Sequence, residues 1–230
     1  MTGAWVAVGV GAALLAALAL VLLGLRRARP RGRQRAEIVS LEDSTTADGD
    51  TGAVRSVQKA DLLIDVDALA ELWTPAHLED LARTYWRFLE RVTLGLIRVA
   101  YSDESRSVVL LTQPFRLLTF QAPEYELDAL RGLVRWRIER GLLVSRVGRH
   151  GRGYLQIEVR RDEREPQAGR AHLHVEVEVA NFYPSIALGV SRRAYNETQS
   201  RIHVIITYGF LRSLTRLDLA QSRVGRLRDQ

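Results

Sequence analysis

The sequence predicts an α+β protein in which an N-terminal transmembrane helix precedes an antiparallel sheet of about six or seven strands packed on helices. Three observations predict this class. The first 25 residues carry no charge. Between residues 134 and 179, apolar and polar residues alternate with a period of two, which is typical of antiparallel strands with one wet face. Helical periodicity, with apolar residues every three or four positions, flanks the strands on both sides.

The apolar run over residues 4–25 predicts the membrane helix, assigned to residues 1–25. Its 22 residues would span about 33 Å, enough for a hydrocarbon core of roughly 30 Å. A cleaved signal peptide would begin with basic residues, and residues 1–3 contain none. The positive-inside rule then places the remainder in the cytoplasm, since a cluster of arginines follows the run. These arginines are Arg26, Arg27, Arg29, Arg31, Arg33 and Arg35. We therefore expect a single-pass protein of the cell membrane with a cytoplasmic C-terminal domain.

Residues 26–58 are predicted to form a flexible linker that is basic near the membrane and acidic further along. The stretch over residues 43–52 has no large apolar side chain and cannot bury enough surface to order itself. Two roles are open for the arginine cluster over residues 26–35. It is a stop-transfer signal, a contact for anionic lipid headgroups, or both.

An amphipathic helix is predicted over residues 76–92. Thr74 can accept hydrogen bonds as the N-cap, and Pro75 lies in the first turn, where its missing N–H is harmless. The apolar residues then recur at intervals of three and four, as on one face of a helix. They are Leu78, Leu81, Tyr85, Phe88, Leu89 and Val92.

The strand predictions follow in chain order. Short apolar runs predict strands over residues 94–100, 107–112 and 115–121, and a less certain first strand lies near residues 62–64. Alternation is sharpest over residues 134–138, 155–159 and 173–179. After Pro184, helical spacing returns in a short helix over residues 186–194 and a longer one over residues 202–217. The globular domain is therefore assigned to residues 59–220, and residues 221–230 form a basic tail.

This order of elements resembles the helix-grip arrangement of START-like domains, in which a sheet folds around a long helix. The resemblance is at the level of fold, covers residues 60–217, and implies a cavity between the sheet and the helices. Three segments, residues 86–101, 141–144 and 153–155, are also similar to uncharacterised membrane-anchored proteins of actinobacteria. That likeness implies no activity.

Catalytic and cofactor motifs are absent from the sequence. There is no cysteine, no phosphate-binding loop, no G-x-S-x-G motif and no H-E-x-x-H motif. His172 and His174 share one strand face, but a third metal ligand of defined spacing is lacking. We therefore predict no catalytic residue, no cofactor and no metal site. Nucleic acid is not expected as a partner, because glutamates share the sheet face with the arginines and pair with them.

The predicted function is binding of an apolar ligand, or of a protein partner, near the membrane lipid. Two alternatives are open: an enzyme acting on a lipid-like substrate in the same cavity, and a structural subunit of a membrane assembly. The candidate cavity residues combine the apolar face of one strand with one face of the late helix. They are Val134, Trp136, Ile138, Ile206 and Phe210. A packed core would bring the same residues into contact, so the sequence does not separate a cavity from a filled interior.

Overall fold

The computed structural model describes residues 19–27, 35–111, 115–148, 152–162, 168–183, 192–216 and 219. These residues form nine strands: β1 (Ala36–Ala47), β2 (Val54–Asp65), β3 (Ile97–Tyr101), β4 (Ser105–Leu110), β5 (Arg116–Gln121), β6 (Glu124–Leu127), β7 (Arg131–Arg140), β8 (Gly153–Arg161) and β9 (Arg170–Phe182). The helices are α1 (Val66–Leu72), α2 (Pro75–Val92) and α3 (Arg192–Ser213). Residues 19–27 are also helical, and we call them the N-terminal helical segment.

The strands make one antiparallel sheet in the order β1-β2-β9-β8-β7-β5-β4-β3, with β6 paired to β7 beside β5. The α+β class and the antiparallel sheet are confirmed. The predicted count of six or seven strands is wrong, because the described residues form nine. The strands that the sequence did not indicate are β1 and β6. The short β6 carries two glutamates, and residues 42–46 of β1 are all polar. Neither strand therefore shows a sustained apolar run.

The prediction of a flexible linker over residues 26–58 is wrong from residue 36 onward. β1 and β2 form a hairpin whose second strand also pairs with β9. In the turn between them, Asp48 Oδ1 accepts hydrogen bonds from the backbone N–H groups of Asp50 at 2.9 Å and Thr51 at 2.7 Å. The polar half of β1 is exposed and is held by the backbone ladder rather than by burial. The globular part therefore begins at residue 36 and not at residue 59.

The amphipathic helix predicted over residues 76–92 is confirmed as α2. Pro75 is its first residue, and Thr74 Oγ1 accepts a hydrogen bond from the His77 N–H at 3.3 Å. The apolar face of α2 is buried against the sheet, with Leu78, Tyr85 and Phe88 all nearly inaccessible to solvent. The Thr-Pro start and the helical spacing thus both define this element as predicted.

The late helix predicted over residues 202–217 is part of α3, which continues into a 3-10 turn at Leu214–Arg216. α3 packs against α2 and β2. Its Phe210 ring lies 5.1 Å from the ring of Tyr85 and 6.1 Å from that of Phe88. The predicted short helix over residues 186–194 falls mainly on residues 184–191, which are outside the described residues. The core therefore lies between the inner face of the sheet and the helices α2 and α3.

The N-terminal helical segment packs against this core. Val21 is buried in the core, and the partly buried Leu25 packs against the core residues. A side chain at Gly24 would collide with the carbonyl group of Val92, so the segment lies directly against the end of α2. Within the described residues, no helix combines the length and the apolarity that a membrane crossing requires. Most of the predicted transmembrane helix, residues 1–18, is outside the described residues, as is the predicted basic tail, residues 221–230.

Candidate ligand cavity

A cavity of about 200 Å³ lies between the inner face of the sheet, α2 and α3. Its walls are almost entirely apolar. Seventeen residues line it: Val54, Ser56, Tyr85, Trp86, Leu89, Ile97, Val108, Leu117, Leu118, Phe120, Ile138, Leu143, Leu155, Val179, Phe182, His203 and Ile206. They come from most strands of the sheet and from both long helices, so the cavity is a property of the assembled fold.

The five candidate cavity residues divide into two groups. Ile138 and Ile206 line the cavity. Val134, Trp136 and Phe210 are each at most 1% exposed and belong to the packed core beside it. The structure therefore brings all five into the interior, but only two of them reach the open space. A role for them in holding a ligand stays a prediction.

Aromatic rings form the boundary between the cavity and the packed core. The ring of Trp86, which lines the cavity, lies 5.1 Å from the ring of Trp136 and 5.4 Å from that of Phe120. Tyr85 continues the row, 5.2 Å from Trp86 and 5.1 Å from Phe210. Most of these pairs meet edge to face, the arrangement that the charge distribution of aromatic rings favours. The cavity wall on this side is thus a rigid aromatic cluster.

One side of the cavity carries polar groups. Ser56 on β2 lines it, and the Gln58 amide donates a hydrogen bond to Ser56 Oγ at 2.9 Å. Thr45 Oγ1 lies 2.9 Å from the same hydroxyl. Gln58 is fully buried, and its Oε1 atom has no hydrogen-bond partner among the described residues. A buried acceptor without a donor is costly, and such groups call for an explanation.

His203 on α3 is a further polar side chain with an orphaned atom, and it lines the cavity directly. Its Nε2 atom is buried and finds no hydrogen-bond partner in the part of the chain that the structure describes. Burial lowers the pKa of His203 to about 4, so the imidazole is neutral near pH 7. A neutral imidazole nitrogen can donate or accept one hydrogen bond, depending on the tautomer. The polar side of the cavity is therefore uncharged but able to form hydrogen bonds.

Few titratable groups border the cavity. Burial raises the pKa of the Tyr85 hydroxyl well above its usual range, so that group stays protonated. No carboxylate belongs to the lining formed by the described residues. The buried charged residues Glu79 and Arg83 on α2 and Arg106 on β4 are not part of the lining, and the Arg83 guanidinium lies 3.9 Å from the ring centre of Tyr101. Among the described residues, the lining therefore offers no pair of an acid and a base of the kind that most hydrolytic mechanisms use.

Arginines and glutamates pair across the other face of the sheet. Glu158 accepts a hydrogen bond from Arg131 at 3.1 Å and one from Arg160. Burial by itself would raise the pKa of Glu158, but the hydrogen bonds from these two arginines outweigh it and lower the pKa. Arg55 reaches Glu178 at 2.7 Å in the same way. The Arg131–Glu158 and Arg55–Glu178 pairs join neighbouring strands, as the sequence predicted, whereas Arg160 and Glu158 are both on β8. Together these pairs leave less positive charge free than the arginine count suggests.

The described histidines and arginines that the sequence indicated as possible metal or lipid contacts lie outside the cavity lining. His174 Nδ1 lies 2.7 Å from Asp61 Oδ1, and the other carboxylate oxygen of Asp61, Oδ2, accepts a hydrogen bond from the Ser40 hydroxyl. No group of three metal-ligand side chains occurs within the described ranges. Of the arginine cluster, Arg26 and Arg27 end the N-terminal helical segment and Arg35 precedes β1, all three exposed. Arg29, Arg31 and Arg33 are outside the described residues.

Sequence reasoning missed the polar side of the cavity. Ser56 and Gln58 fall within the predicted linker, and His203 falls within the predicted late helix, where no motif marks it. A signal was present, because β2 alternates toward its end, with Ala60, Leu62 and Ile64 on the inner face. Extending that alternation backward places Ser56 and Gln58 on the same face.

The chain has only weak structural similarity to known proteins. No protein-family model matches it. No curated protein matches it either. Among solved structures, a conserved protein from Geobacillus kaustophilus aligns with a TM-score of 0.32 and 9% identity, covering 70% of this chain and 94% of that one. The protein of unknown function EF2215 from Enterococcus faecalis gives a TM-score of 0.28 and 10% identity, over 80% and 83% of the two chains. Ara h 8.0201, a helix-grip protein, gives 0.24 and 10%, over 76% and 99%. Scores this low establish no family for the chain.

Proposed function

We propose that this chain is a membrane-anchored binding module that holds an apolar ligand in the cavity between its sheet and its helices. The cavity itself is the observation that carries the proposal. An apolar cavity of about 150 Å³ can hold benzene, so one of about 200 Å³ accommodates a small ring or a segment of lipid chain. The helix-grip arrangement that the sequence resembles fits the same use.

The polar side of the cavity narrows the ligand class. Ser56 and His203 border the apolar space, and a buried His203 nitrogen is without a partner among the described residues. Because His203 is neutral near pH 7, it offers no charge to a carboxylate or phosphate. A ligand with an apolar body and one neutral hydrogen-bonding group, such as a hydroxyl or a carbonyl, satisfies both sides of the cavity.

The chemistry of the lining favours binding over catalysis. A lone neutral histidine needs an orienting acid, and usually a nucleophile, to act as a catalytic base. The described lining contains no carboxylate, and Tyr85 stays protonated because its pKa is raised. The alternative of an enzyme acting on a lipid-like substrate therefore lacks the groups that it would need.

Anchoring to the membrane rests on the sequence before residue 28. Val21 and Leu25 pack on the protein core, so residues 4–20 are left to cross the bilayer. These 17 residues reach the lower limit of about 17–25 for a membrane helix. β1 begins at residue 36, so a domain anchored in this way would lie next to the bilayer instead of at the end of a long tether. The arginines over residues 26–35 favour a cytoplasmic position.

A reporter enzyme fused after Gln230 tests this orientation. We expect activity from a reporter that works only in the cytoplasm and none from a reporter that needs export. Activity of the exported reporter alone would contradict the cytoplasmic placement.

Native mass spectrometry of the full chain, extracted in detergent, tests ligand binding. We expect a bound mass on the unmodified protein and its loss from Val108→Phe, which fills the cavity from β4. The control Val39→Phe places the same ring on the exposed edge strand β1 and is expected to keep the bound mass. An unmodified protein that carries no small molecule, but forms a defined oligomer, would favour the structural-subunit alternative.

A further inference from the structure

Exposed apolar side chains collect at one end of the sheet. Leu111 is 53% exposed, Phe115 is 54% exposed and Leu142 is 58% exposed. Leu94, in the turn after α2, is also exposed. We call these four residues the apolar tip. Single exposed leucines are ordinary on protein surfaces, whereas a contiguous group marks a contact surface.

Backbone hydrogen bonds bring the turns of the apolar tip together. The Leu111 N–H donates to the Leu96 carbonyl at 2.6 Å, which joins the β4–β5 turn to the turn before β3. The Leu142 N–H donates to the Arg116 carbonyl at 3.0 Å, which joins the segment after β7 to the start of β5. Three separate turns therefore form one surface.

The apolar tip borders the cavity. Ile97, Leu117 and Leu143 line the cavity, and each lies within three residues of an exposed tip residue. The same turns thus have one apolar side toward the cavity and another toward solvent. A ligand that leaves the cavity between these turns meets the tip first.

The N-terminal helical segment meets the domain at this end. Gly24 lies against Val92, two residues before Leu94 of the tip. Leu22 and Leu23 of the segment are also exposed. The described end of the apolar run, residues 19–25, and the apolar tip are therefore neighbours.

Exposed arginines surround the tip. They are Arg91, Arg98, Arg116, Arg140 and Arg146. The nearby acids are Glu90, which accepts the Val99 N–H at 2.8 Å, and Glu139, which lies 3.9 Å from Arg140. Five arginines outnumber these two acids, and apolar side chains in such a cationic surround match the chemistry of an anionic bilayer surface, with apolar groups in the acyl boundary and cations among headgroups.

We propose that the apolar tip docks on an anionic lipid bilayer, so that the cavity opens onto the membrane from which its ligand comes. This inference rests on the proposed function for the identity of the ligand, but not for the contact itself. A second copy of the chain or a protein partner on the tip is the competing occupant, and the experiment below separates the two.

Two single-cysteine variants of the full chain provide the test, because the chain has no cysteine of its own. Leu142→Cys places a label on the tip. Leu130→Cys is the matched control: Leu130 is 41% exposed and precedes β7, whereas Leu142 follows it. The ten residues of β7 separate the two sites by roughly 33 Å. Each variant carries an environment-sensitive dye and is reconstituted in vesicles of phosphatidylcholine and phosphatidylglycerol.

Quenching by nitroxide-bearing lipids reports contact with the bilayer. We expect the label at position 142 to be quenched at least threefold more than the label at position 130, and to be protected from aqueous iodide. Equal quenching of both labels would overturn the proposal. Protection of position 142 from iodide without quenching by the lipids would also overturn it, in favour of a protein on the tip. Mass spectrometry of the same samples reports the cavity ligand separately, so failure of docking and failure of ligand binding are distinguishable.

Discussion

Two halves of one interior differ in how completely they are filled. Around Trp136 and Phe210 the rings and branched side chains meet, whereas around Ile138 and Ile206 about 200 Å³ stays open. Both halves use the same strand and the same helix, since Trp136 and Ile138 are alternate residues of β7 and one turn of α3 separates Ile206 from Phe210. Position on a buried face therefore does not decide whether a residue packs or lines a cavity. The side chains that it meets decide it.

The largest expected effect comes from truncating the packed half. Phe210→Ala removes a ring that contacts Tyr85 and Phe88, and we expect it to lower the free energy of unfolding by about 3–5 kcal/mol. Ile206→Ala, one turn away at the cavity, is expected to cost only about 2 kcal/mol, because part of its surroundings is already empty. Denaturant unfolding of both variants measures the difference. Equal losses would mean that the two halves are packed alike.

Enlarging side chains tests the same contrast from the opposite direction. Val134→Phe adds a ring where no space exists, and we expect a loss of about 1–3 kcal/mol. Val108→Phe makes the identical change at the cavity and is expected to leave stability nearly unchanged while removing bound ligand. Thermal unfolding and ligand content are measured on both variants. Comparable destabilisation by the two substitutions would argue that the cavity is closed to larger groups.

The polar side of the cavity predicts a pH dependence. Burial lowers the pKa of His203 to about 4 in the folded protein, against about 6.5 in an unfolded chain. Between these values the unfolded chain binds more protons, so stability falls as the pH drops from about 6.5 toward 4. We expect a loss of up to about 3 kcal/mol over this window, since each pKa unit of difference corresponds to about 1.4 kcal/mol.

Two asparagine variants test whether His203 causes this pH dependence of stability. His203→Asn is expected to reduce it, while His172→Asn, on an exposed residue of β9, is expected to leave it unchanged. The unfolding midpoints of both variants and of the unmodified protein are measured at test conditions of pH 4.5 and pH 7. Retention of the full dependence in His203→Asn would assign it to other groups.

The smallest expected effect concerns Gln58. Gln58→Met keeps the volume but removes both the hydrogen bond to Ser56 and the orphaned Oε1 acceptor. The lost bond and the relieved desolvation nearly offset each other, so we expect stability to change by less than about 1 kcal/mol. Denaturant unfolding measures this change. A loss above about 2 kcal/mol would show that Gln58 Oε1 has a partner in the native protein.

The sequence predicted α2 and the strands β7, β8 and β9 because their signals are local. Thr74 and Pro75 define a helix start within two residues, and strict alternation defines a strand whose two faces meet different surroundings. β1 carries no such signal, since residues 42–47 are all exposed. It is a strand because β2 offers a backbone ladder, and pairing of this kind is invisible to composition.

The candidate site could be predicted only in part. Alternation placed Ile138 on the inner face, and helical spacing brought Ile206 toward it. The empty volume could not be predicted, because it is the space left after many side chains from distant elements have packed. His203 illustrates the limit, since its neutral state depends on burial that no local pattern records.

The position of β2 in the sheet has a consequence for the order of folding. β2 pairs with β9, so that Ser56 lies beside Val179 and the Arg55–Glu178 bond joins residues 123 positions apart. During synthesis the N-terminal hairpin therefore emerges long before its main partner exists. Contacts of such high sequence separation form slowly, and unpaired strand edges invite association with other chains. A ribosome-bound chain that stops before β9 is thus expected to expose one side of β2, and release of the last strands completes the sheet.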